Sequence, residues 1–456
     1  MKLEIITSAG LAHKSYFLVD NHEALVIDPR RDCEIYTEIA QKYCAKINYI
    51  METHRNEDYV IGSLELQNLT DAEIVHSKST PFKYGEHRIG GGDTFTLGRL
   101  RVEAVETPGH TNDSICYVVY DSALSKEPLM VFTGDTLFAG DVGRTDLPGL
   151  DIWQVQTEKL YHSLYEKLLP LGDHVIVYPG HGAGTICGSK LSDRSITTLG
   201  YERKTNPIFQ LDKDAFVKYM MGLKLYRPPY FRKMEVYNLN GPPLLKDAPI
   251  TRKLSVLEFE KTARSPGTII LDTRLPGAFA ASHIPSSVNI GLDDLAFFPG
   301  WVVTHDQQIL LVLDHLSEFK IAKTLLQRLG FDNIRGYLCP NIAAWRNKGK
   351  PTEHLYPLTP TSLKEKLDRK ELALVDVREQ REFENGHIAG ATHIYLGHLP
   401  VQADNLPTGK PLAVICGSGR RASIAASLLK RMGIKNVYNV LGGMSSWNAH
   451  GYPTVK

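Results

Sequence analysis

Over residues 1 to about 180, short apolar runs of strand length alternate with turn residues and a few helical stretches. Four of these runs end in a polar cluster: INYIMETH reaches His54, LRVEAVETPGH reaches His110, PLMVFTGD reaches Asp135, and HVIVYPGH reaches His181. A strand that ends in a Gly- or Pro-shaped loop aims a side chain from a rigid base. Four such ends, each carrying His or Asp, predict one converging site. From Thr185 to about Leu245 the pattern turns helical and then loop-like, and Pro228-Pro229 and Gly241-Pro242-Pro243 mark a linker.

The remainder is an internal repeat. TIILDTRLPGAFAASHIPSSVNI (268–290) mirrors LALVDVREQREFENGHIAGATHI (372–394), and ILLVLDHLSEFKIAKTLLQRLGF (309–331) mirrors LAVICGSGRRASIAASLLKRMGI (412–434). Both copies close on a tryptophan, Trp345 and Trp447, and then on Gly-x-Pro. Each copy alternates strand and helix over about 100 residues, which predicts a small α/β domain with a parallel sheet. The expected domains are therefore 1–250, including a helical extension and linker, then 251–355 and 356–456.

Composition changes this picture little. At 456 residues the chain is too long for one core, and 43% hydrophobic with 23% charged residues is ordinary for a globular protein. A net charge of +1 gives no electrostatic reason to expect nucleic acid or a membrane as partner. No apolar run is long enough to span a bilayer, and MKLEIITSAG lacks the apolar core of a secretory signal, so a cytoplasmic protein is expected. The six cysteines are scattered with no CxxC pair, which fits a reducing compartment and leaves room for a working thiol.

Cys416 is the candidate. It opens CGSGRRAS between the apolar strand LAVI and the helical pattern SIAASLLKRM. Such a loop turns several backbone N–H groups toward one point at a helix N-terminus and so forms an anion cradle. A thiolate placed there is stabilised, and Arg420 and Arg421 add positive charge. Residues 360–456 resemble a rhodanese domain, with DVRE (376–379), GHIAGA (386–391), the Cys-x-x-Gly-x-Arg loop and a closing GGMSSW. The resemblance implies a persulfide carried on Cys416, sulfur passed between small thiols, sulfite or cyanide, and Arg421 as the loop-closing arginine. The copy at 251–355 keeps LDTR and SHIP but has Leu313-Asp314-His315 where the thiol belongs, so it is expected to be catalytically silent and to serve packing or positioning. Its Cys339 lies far downstream of that loop.

Residues 1 to about 200 resemble the metallo-β-lactamase fold, an αββα sandwich, with ETH and Asp58, TPGH, TGD and PGH in order. The superfamily usually writes Thr-His-x-His-x-Asp-His where this chain has Thr-His-Arg-Asn-Glu-Asp-Tyr. In its two-zinc hydrolases the positions of His54, Asn56 and His110 hold one metal, those of Asp58, Tyr59 and His181 the other, and that of Asp135 bridges. With Asn56 and Tyr59, each zinc site has lost an imidazole, and amide and phenol are poor substitutes.

The mononuclear persulfide dioxygenases of the same superfamily need fewer ligands. The resemblance to them implies one Fe(II) per chain held by His54, His110 and Asp135, a two-His, one-carboxylate set that leaves positions open for substrate and O2. Asn56, Asp58, Tyr59 and His181 then fall around the ligands or serve as alternative metal positions. GDVGRTDL (140–147), SITTLGYERKTN (195–206) and HGAGTICGSK (181–190) resemble segments of dioxygenase–rhodanese fusions, which makes Arg144, Cys187 and Tyr201 candidate substrate contacts. The whole chain thus resembles a persulfide dioxygenase fused to two rhodanese domains. That implies low-molecular-weight thiol persulfides, O2, sulfite and thiosulfate as partners, a role in sulfide detoxification, and a homodimer or higher oligomer by analogy. The alternatives are a glyoxalase II-like thioester hydrolase with zinc, or a metal-free domain with only rhodanese activity.

Overall fold

Along strand His13–Asp20 the side chains part to two sides: Tyr16 and Leu18 enter one core, Phe17 and Val19 another. This period-2 division is what a sheet needs when both faces are covered. In the computed structural model, which describes every residue except Ile186, Ser189, Lys190 and Asn341, six strands extend that sheet in chain order: Lys2–Ser8, His13–Asp20, Glu23–Ile27, Lys46–Met51, Glu73–Ser77 and His87–Ile89. A second six-stranded sheet follows, again with neighbours in chain order, from Thr94–Leu97 through Leu100–Glu106, Ile115–Asp121, Met130–Gly134 and Ile176–Pro179 to Thr197–Thr198.

The core between the sheets joins Leu18, Ile27, Met51 and Val75 of the first to Val102, Tyr117, Val119 and Phe132 of the second. Helices Glu34–Lys42 and Ser63–Thr70 send Tyr36 and Leu66 against the outer face of the first sheet. Helices Trp153–His162 and Lys213–Met221 cover the second with Leu160, Phe216 and Met220. The result is the expected αββα sandwich.

The chain divides into two units, Met1–Asp247 with Gln327–Gly330, and Ala248–Leu326 with Phe331–Lys456. Apart from Gln327–Gly330, the second unit holds both repeats, each with a five-stranded, all-parallel sheet. In the first repeat the order across the sheet is Arg252–Lys253, Ile334–Leu338, Gln308–Val312, Thr268–Asp272, Val288–Asn289. In the second it is Tyr356–Leu358, Val437–Val440, Leu412–Ile415, Ala373–Asp376, Thr392–His393.

The repeat extends to individual bonds. Arg274 forks onto Asp272 at 2.6 and 2.8 Å and reaches Ser282 O; Arg378 forks onto Asp376 at 2.6 and 2.9 Å and reaches Gly386 O. His283 stacks on Phe279 and His387 on Phe383, with centroids 3.9 and 3.7 Å apart. The indoles of Trp345 and Trp447 donate to Pro351 O and Pro453 O. The sequence motifs LDTR and VDVR are thus buried ion pairs that tie a strand end to the following loop. No helix among the described residues is long and apolar enough to cross a membrane.

Phe132 is fully buried in the seam between the first two sheets, 4.9 Å from Tyr16 and 5.3 Å from Tyr178 between ring centroids. Phe132→Ala should destabilise that unit by about 3–5 kcal/mol, read as lost hydrogen-exchange protection in Ile115–Asp121 and Met130–Gly134, with the repeats unaffected.

Candidate functional site

The four predicted strand ends do converge. His54 follows Lys46–Met51 of the first sheet; His110, Asp135 and His181 follow Leu100–Glu106, Met130–Gly134 and Ile176–Pro179 of the second. One ligand atom each of His54, His110 and Asp135 lies within 4.8 Å of the others, and all three residues are buried. Asp135 Oδ2 is 3.6 Å from His110 Nε2 and 3.9 Å from His54 Nε2.

The hydrogen bonds fix how these rings present themselves. His110 donates from Nδ1 to the Arg144 carbonyl at 2.8 Å, which in the neutral ring puts the lone pair on Nε2. Thr53 Oγ1 gives its proton to Asp28 Oδ2 at 2.6 Å and therefore accepts from His54 Nδ1 at 2.9 Å. Both Nε2 lone pairs thus face Asp135 Oδ2, which is buried and makes no hydrogen bond among the described residues. Burial pushes His54 down to about 3, keeping it neutral. Close packing enforces the geometry: at Gly134, with φ +49°, a Cβ would lie 2.4 Å from Thr53 Oγ1. Two imidazoles and an unpartnered carboxylate oxygen are the donor set of a metal ion, and ligands at about 2.1 Å from one ion can lie this far apart.

His181 is held differently. Its Nδ1 donates to Asp135 Oδ1 at 2.6 Å and its Nε2 to Asp58 Oδ2 at 2.9 Å. Burial opposes its charge, yet the Asp135 and Asp58 carboxylates raise its pKa well above the ordinary value. Asp135 moves the opposite way: burial would raise it, but His181, His54 and His110 hold it below the carboxylate range. The ring is an imidazolium clamped between two carboxylates.

The two departures from the superfamily motif are both occupied elsewhere. Asn56 Nδ2 donates to His54 O at 3.3 Å, and the Asn56 backbone carbonyl accepts from Asn238 Nδ2 at 2.7 Å. The same Asn238 amide holds Tyr59 O at 2.8 Å. The Tyr59 ring packs on His13 with centroids 4.1 Å apart, and its buried hydroxyl makes no hydrogen bond among the described residues. Thr53, Asp28, His13 and Asn238 were not found by sequence reasoning; only Thr53, inside the motif, carried a local signal.

The candidate substrate contacts separate. Cys187 is buried, and its sulfur lies within 4.8 Å of ligand atoms of Asp58 and His181. Burial, then the Asp58 and Asp135 carboxylates, push its thiol well above the usual range, so it is held as a thiol. The Arg144 guanidinium forks onto Asp146 at 2.6 and 2.7 Å and reaches Tyr226 O, while its carbonyl accepts from His110. Tyr201 is half-exposed under the Arg194 guanidinium, 4.2 Å from its centroid.

In the last repeat, Cys416 Sγ accepts N–H bonds from Gly419 at 3.1 Å and Ala422 at 3.3 Å, the cradle expected of this loop. The closing motif locks it: Met444 N donates to Cys416 O and Ser445 N to Gly417 O. Gly443 takes φ +55°, and a Cβ there would sit 2.2 Å from Cys416 O. Arg421 forks onto Glu382 at 2.6 and 2.7 Å. In the first repeat the loop N–H groups of Asp314 and His315, which follow Leu313 at the thiol's position, donate to Glu318 Oε2 at 3.0 and 3.2 Å. That loop lacks the thiol, and a glutamate of the following helix holds its N–H groups. Its Cys339 is buried at the end of Ile334–Leu338, and burial raises its thiol.

Known proteins carry the same two modules. Residues 9–181 match the metallo-beta-lactamase superfamily, and residues 255–347 and 359–450 each match the rhodanese-like domain. The mitochondrial persulfide dioxygenase ETHE1 of Mus musculus is 31% identical over 222 residues, covering 47% of this chain and 78% of that protein. The chain belongs to the metallo-β-lactamase superfamily. Persulfide dioxygenases are among its homologues, and it carries two rhodanese-like domains. This superfamily member is also 26% identical to the hydroxyacylglutathione hydrolase of Dictyostelium discoideum, over 37% of this chain and 61% of that one. A solved metallo-beta-lactamase from Staphylococcus aureus subsp. aureus COL superposes with a TM-score of 0.67 at 27% identity, covering 74% of this chain and 98% of that one.

Thr53→Val keeps the side-chain shape but removes the oxygen that orients His54. It should weaken metal retention roughly 10–100-fold, measured by competition with a chelator, while the far-ultraviolet spectrum stays the same.

Proposed function

We propose that the N-terminal unit oxidises low-molecular-weight thiol persulfides with O2 at one Fe(II) held by His54, His110 and Asp135, and that Cys416 transfers sulfane sulfur to the product. The observation that carries this reading is the ligand set: two Nε2 lone pairs and one unpartnered carboxylate oxygen, with Asn56 and Tyr59 bonded or stacked elsewhere. Fe(II) in such a set supplies the redox step between O2 and the terminal sulfur. The reaction balances as RSSH + O2 + H2O giving RSH, sulfite and two protons; the sulfane sulfur loses four electrons and O2 gains them.

The chain's own residues supply the rest. Thr53 and the Arg144 carbonyl hold the two imidazoles in register, and the Asp58–His181–Asp135 clamp keeps Asp135 ionised. Cys187 presents a protonated thiol beside that clamp. At the second site, the Cys416 thiolate attacks the outer sulfur of a persulfide and releases the carrier thiol. Sulfite then attacks the outer sulfur of the Cys416 persulfide, the S–S bond breaks, and thiosulfate leaves with the thiolate restored. The Gly419 and Ala422 N–H groups stabilise that thiolate as leaving group.

A thioester hydrolase is the second reading, favoured by the hydroxyacylglutathione hydrolase relative and by the Asp58–His181–Cys187 group. It requires a second metal at a position where Tyr59 replaces an imidazole. A domain without metal, leaving only Cys416 active, is the third.

Metal analysis and O2 uptake with glutathione persulfide or coenzyme A persulfide separate these readings. The expected result is about one iron per chain and O2 consumption matched by sulfite. Zinc with O2-independent thioester cleavage would establish the hydrolase instead, and a metal-free protein that still loads sulfur on Cys416 would establish the third reading. Cys416→Ser should abolish thiosulfate formation and leave O2 uptake unchanged.

A further inference from the structure

The helix that opens at the Cys416 loop, Arg420–Arg431, is gripped along its length by the repeat that has no thiol. Ser423 Oγ donates to Asn289 Oδ1 at 2.6 Å, and Asn289 N donates to Ser427 Oγ at 3.0 Å, all of them buried. Asn289 is itself fixed, because its amide donates to the Asp272 and Arg274 carbonyls at 3.0 and 2.8 Å. At the helix end Arg431 reaches Ser286 O at 2.8 Å.

The contact nearest the Cys416 loop along the helix is ionic. Arg420 is the first helical residue after the loop, and its Nε and Nη2 fork onto Asp294 Oδ2 and Oδ1 at 3.0 and 2.9 Å. Asp294 belongs to the short turn Leu292–Ala296 of the thiol-less repeat and is only 13% exposed, whereas Arg420 is 50% exposed. The pair is therefore not two mobile surface chains: one partner is anchored, and the planar fork fixes the other. The two arginines of the loop are thus held by separate carboxylates, Arg421 by Glu382 of its own repeat and Arg420 by Asp294 of the other. Arg420 keeps half its surface open, so it is a cation that an arriving anion can meet.

We propose that Asp294 is a positioning residue for the Cys416 site, through which the thiol-less repeat fixes the Arg420 guanidinium to receive sulfur oxyanions such as thiosulfate and sulfite. This rests on the sulfurtransferase reading of Cys416. The silent repeat thereby gains a specific role. Having no thiol of its own to serve, it supplies the carboxylate and the Asn289 seat that hold its neighbour's catalytic helix. The oxyanion does not bond to Asp294, so the effect of that residue must pass through Arg420.

The test uses the full-length protein with thiosulfate as sulfur donor and cyanide as acceptor. Asp294→Asn keeps the shape and removes the charge. The thiosulfate KM should rise roughly 5–30-fold with kcat changed by less than about twofold, and Asp294→Glu should recover most of the loss. In an Arg420→Gln background, Asp294→Asn should add nothing further, which a merely structural role would not produce. An unchanged or lower KM in Asp294→Asn would overturn the proposal, as would a full-sized effect in the Arg420→Gln background.

A second measurement does not depend on turnover. The ratio of Cys416 alkylation rates by iodoacetate and by iodoacetamide, read by peptide mapping, should fall in Asp294→Asn, because only the anionic reagent uses the fixed guanidinium. If the wild type transferred no sulfur at all, the sulfurtransferase reading would fail while this ratio still decided whether Asp294 positions Arg420.

Discussion

Asp135 must be charged, buried and half unbonded at once, and the N-terminal unit is organised around that demand. A carboxylate stripped of water is costly unless it is paired. Its Oδ1 is paired by His181, whose own charge is stabilised from the other side by Asp58. Its Oδ2 is left facing the Nε2 atoms of His54 and His110 at 3.9 and 3.6 Å, an arrangement suited to a shared metal ion. The sandwich serves this arrangement directly. Three strand ends of one sheet and one of the other deliver the four side chains, and the buried Tyr117, Phe132 and Val102 between the sheets keep those ends in register.

The two rhodanese-like repeats answer a different electrostatic problem with the same backbone. Each strand-to-helix loop presents N–H groups that need an acceptor. In the last repeat Gly419 N and Ala422 N donate to the Cys416 sulfur; in the first, Asp314 N and His315 N donate to the Glu318 carboxylate. With Leu313 at the thiol's position, the first repeat meets its loop donors with a side chain of the following helix. The framework of Asp272–Arg274, the His283–Phe279 stack and the Trp345 indole persists because it holds the fold, whatever the loop carries.

Much of this was legible in the chain because it is local. Strand-terminal His and Asp residues, the duplicated segments and the Cys416 loop each announce themselves within a few residues, and the sheets and helices follow from apolar periodicity. The roles of Asn56 and Tyr59 were not legible, because their partners, Asn238 and His13, stand far from them along the chain. Arg144 illustrates the same limit. Its place in GDVGRTDL marked it as a side chain near the substrate, yet the fold commits its guanidinium to Asp146 and uses its carbonyl to orient His110. A one-letter sequence records side chains and says little about which backbone oxygen will be aimed where.

The exchange of imidazoles for an amide and a phenol at positions 56 and 59 bears on how the metal centre could have changed without collapsing. Histidines left without a metal would need new hydrogen-bond partners for buried ring nitrogens. Asn56 avoids that cost by bonding back to His54 O, and its backbone carbonyl is tied to Asn238, which stiffens the loop that carries His54. Tyr59 fills the remaining volume with a ring packed on His13, at the expense of one buried hydroxyl. Each substitution takes one imidazole from one half of a two-metal arrangement, yet His54, His110 and Asp135 still converge within 4.8 Å, so a three-ligand set survives where two four-ligand sets do not.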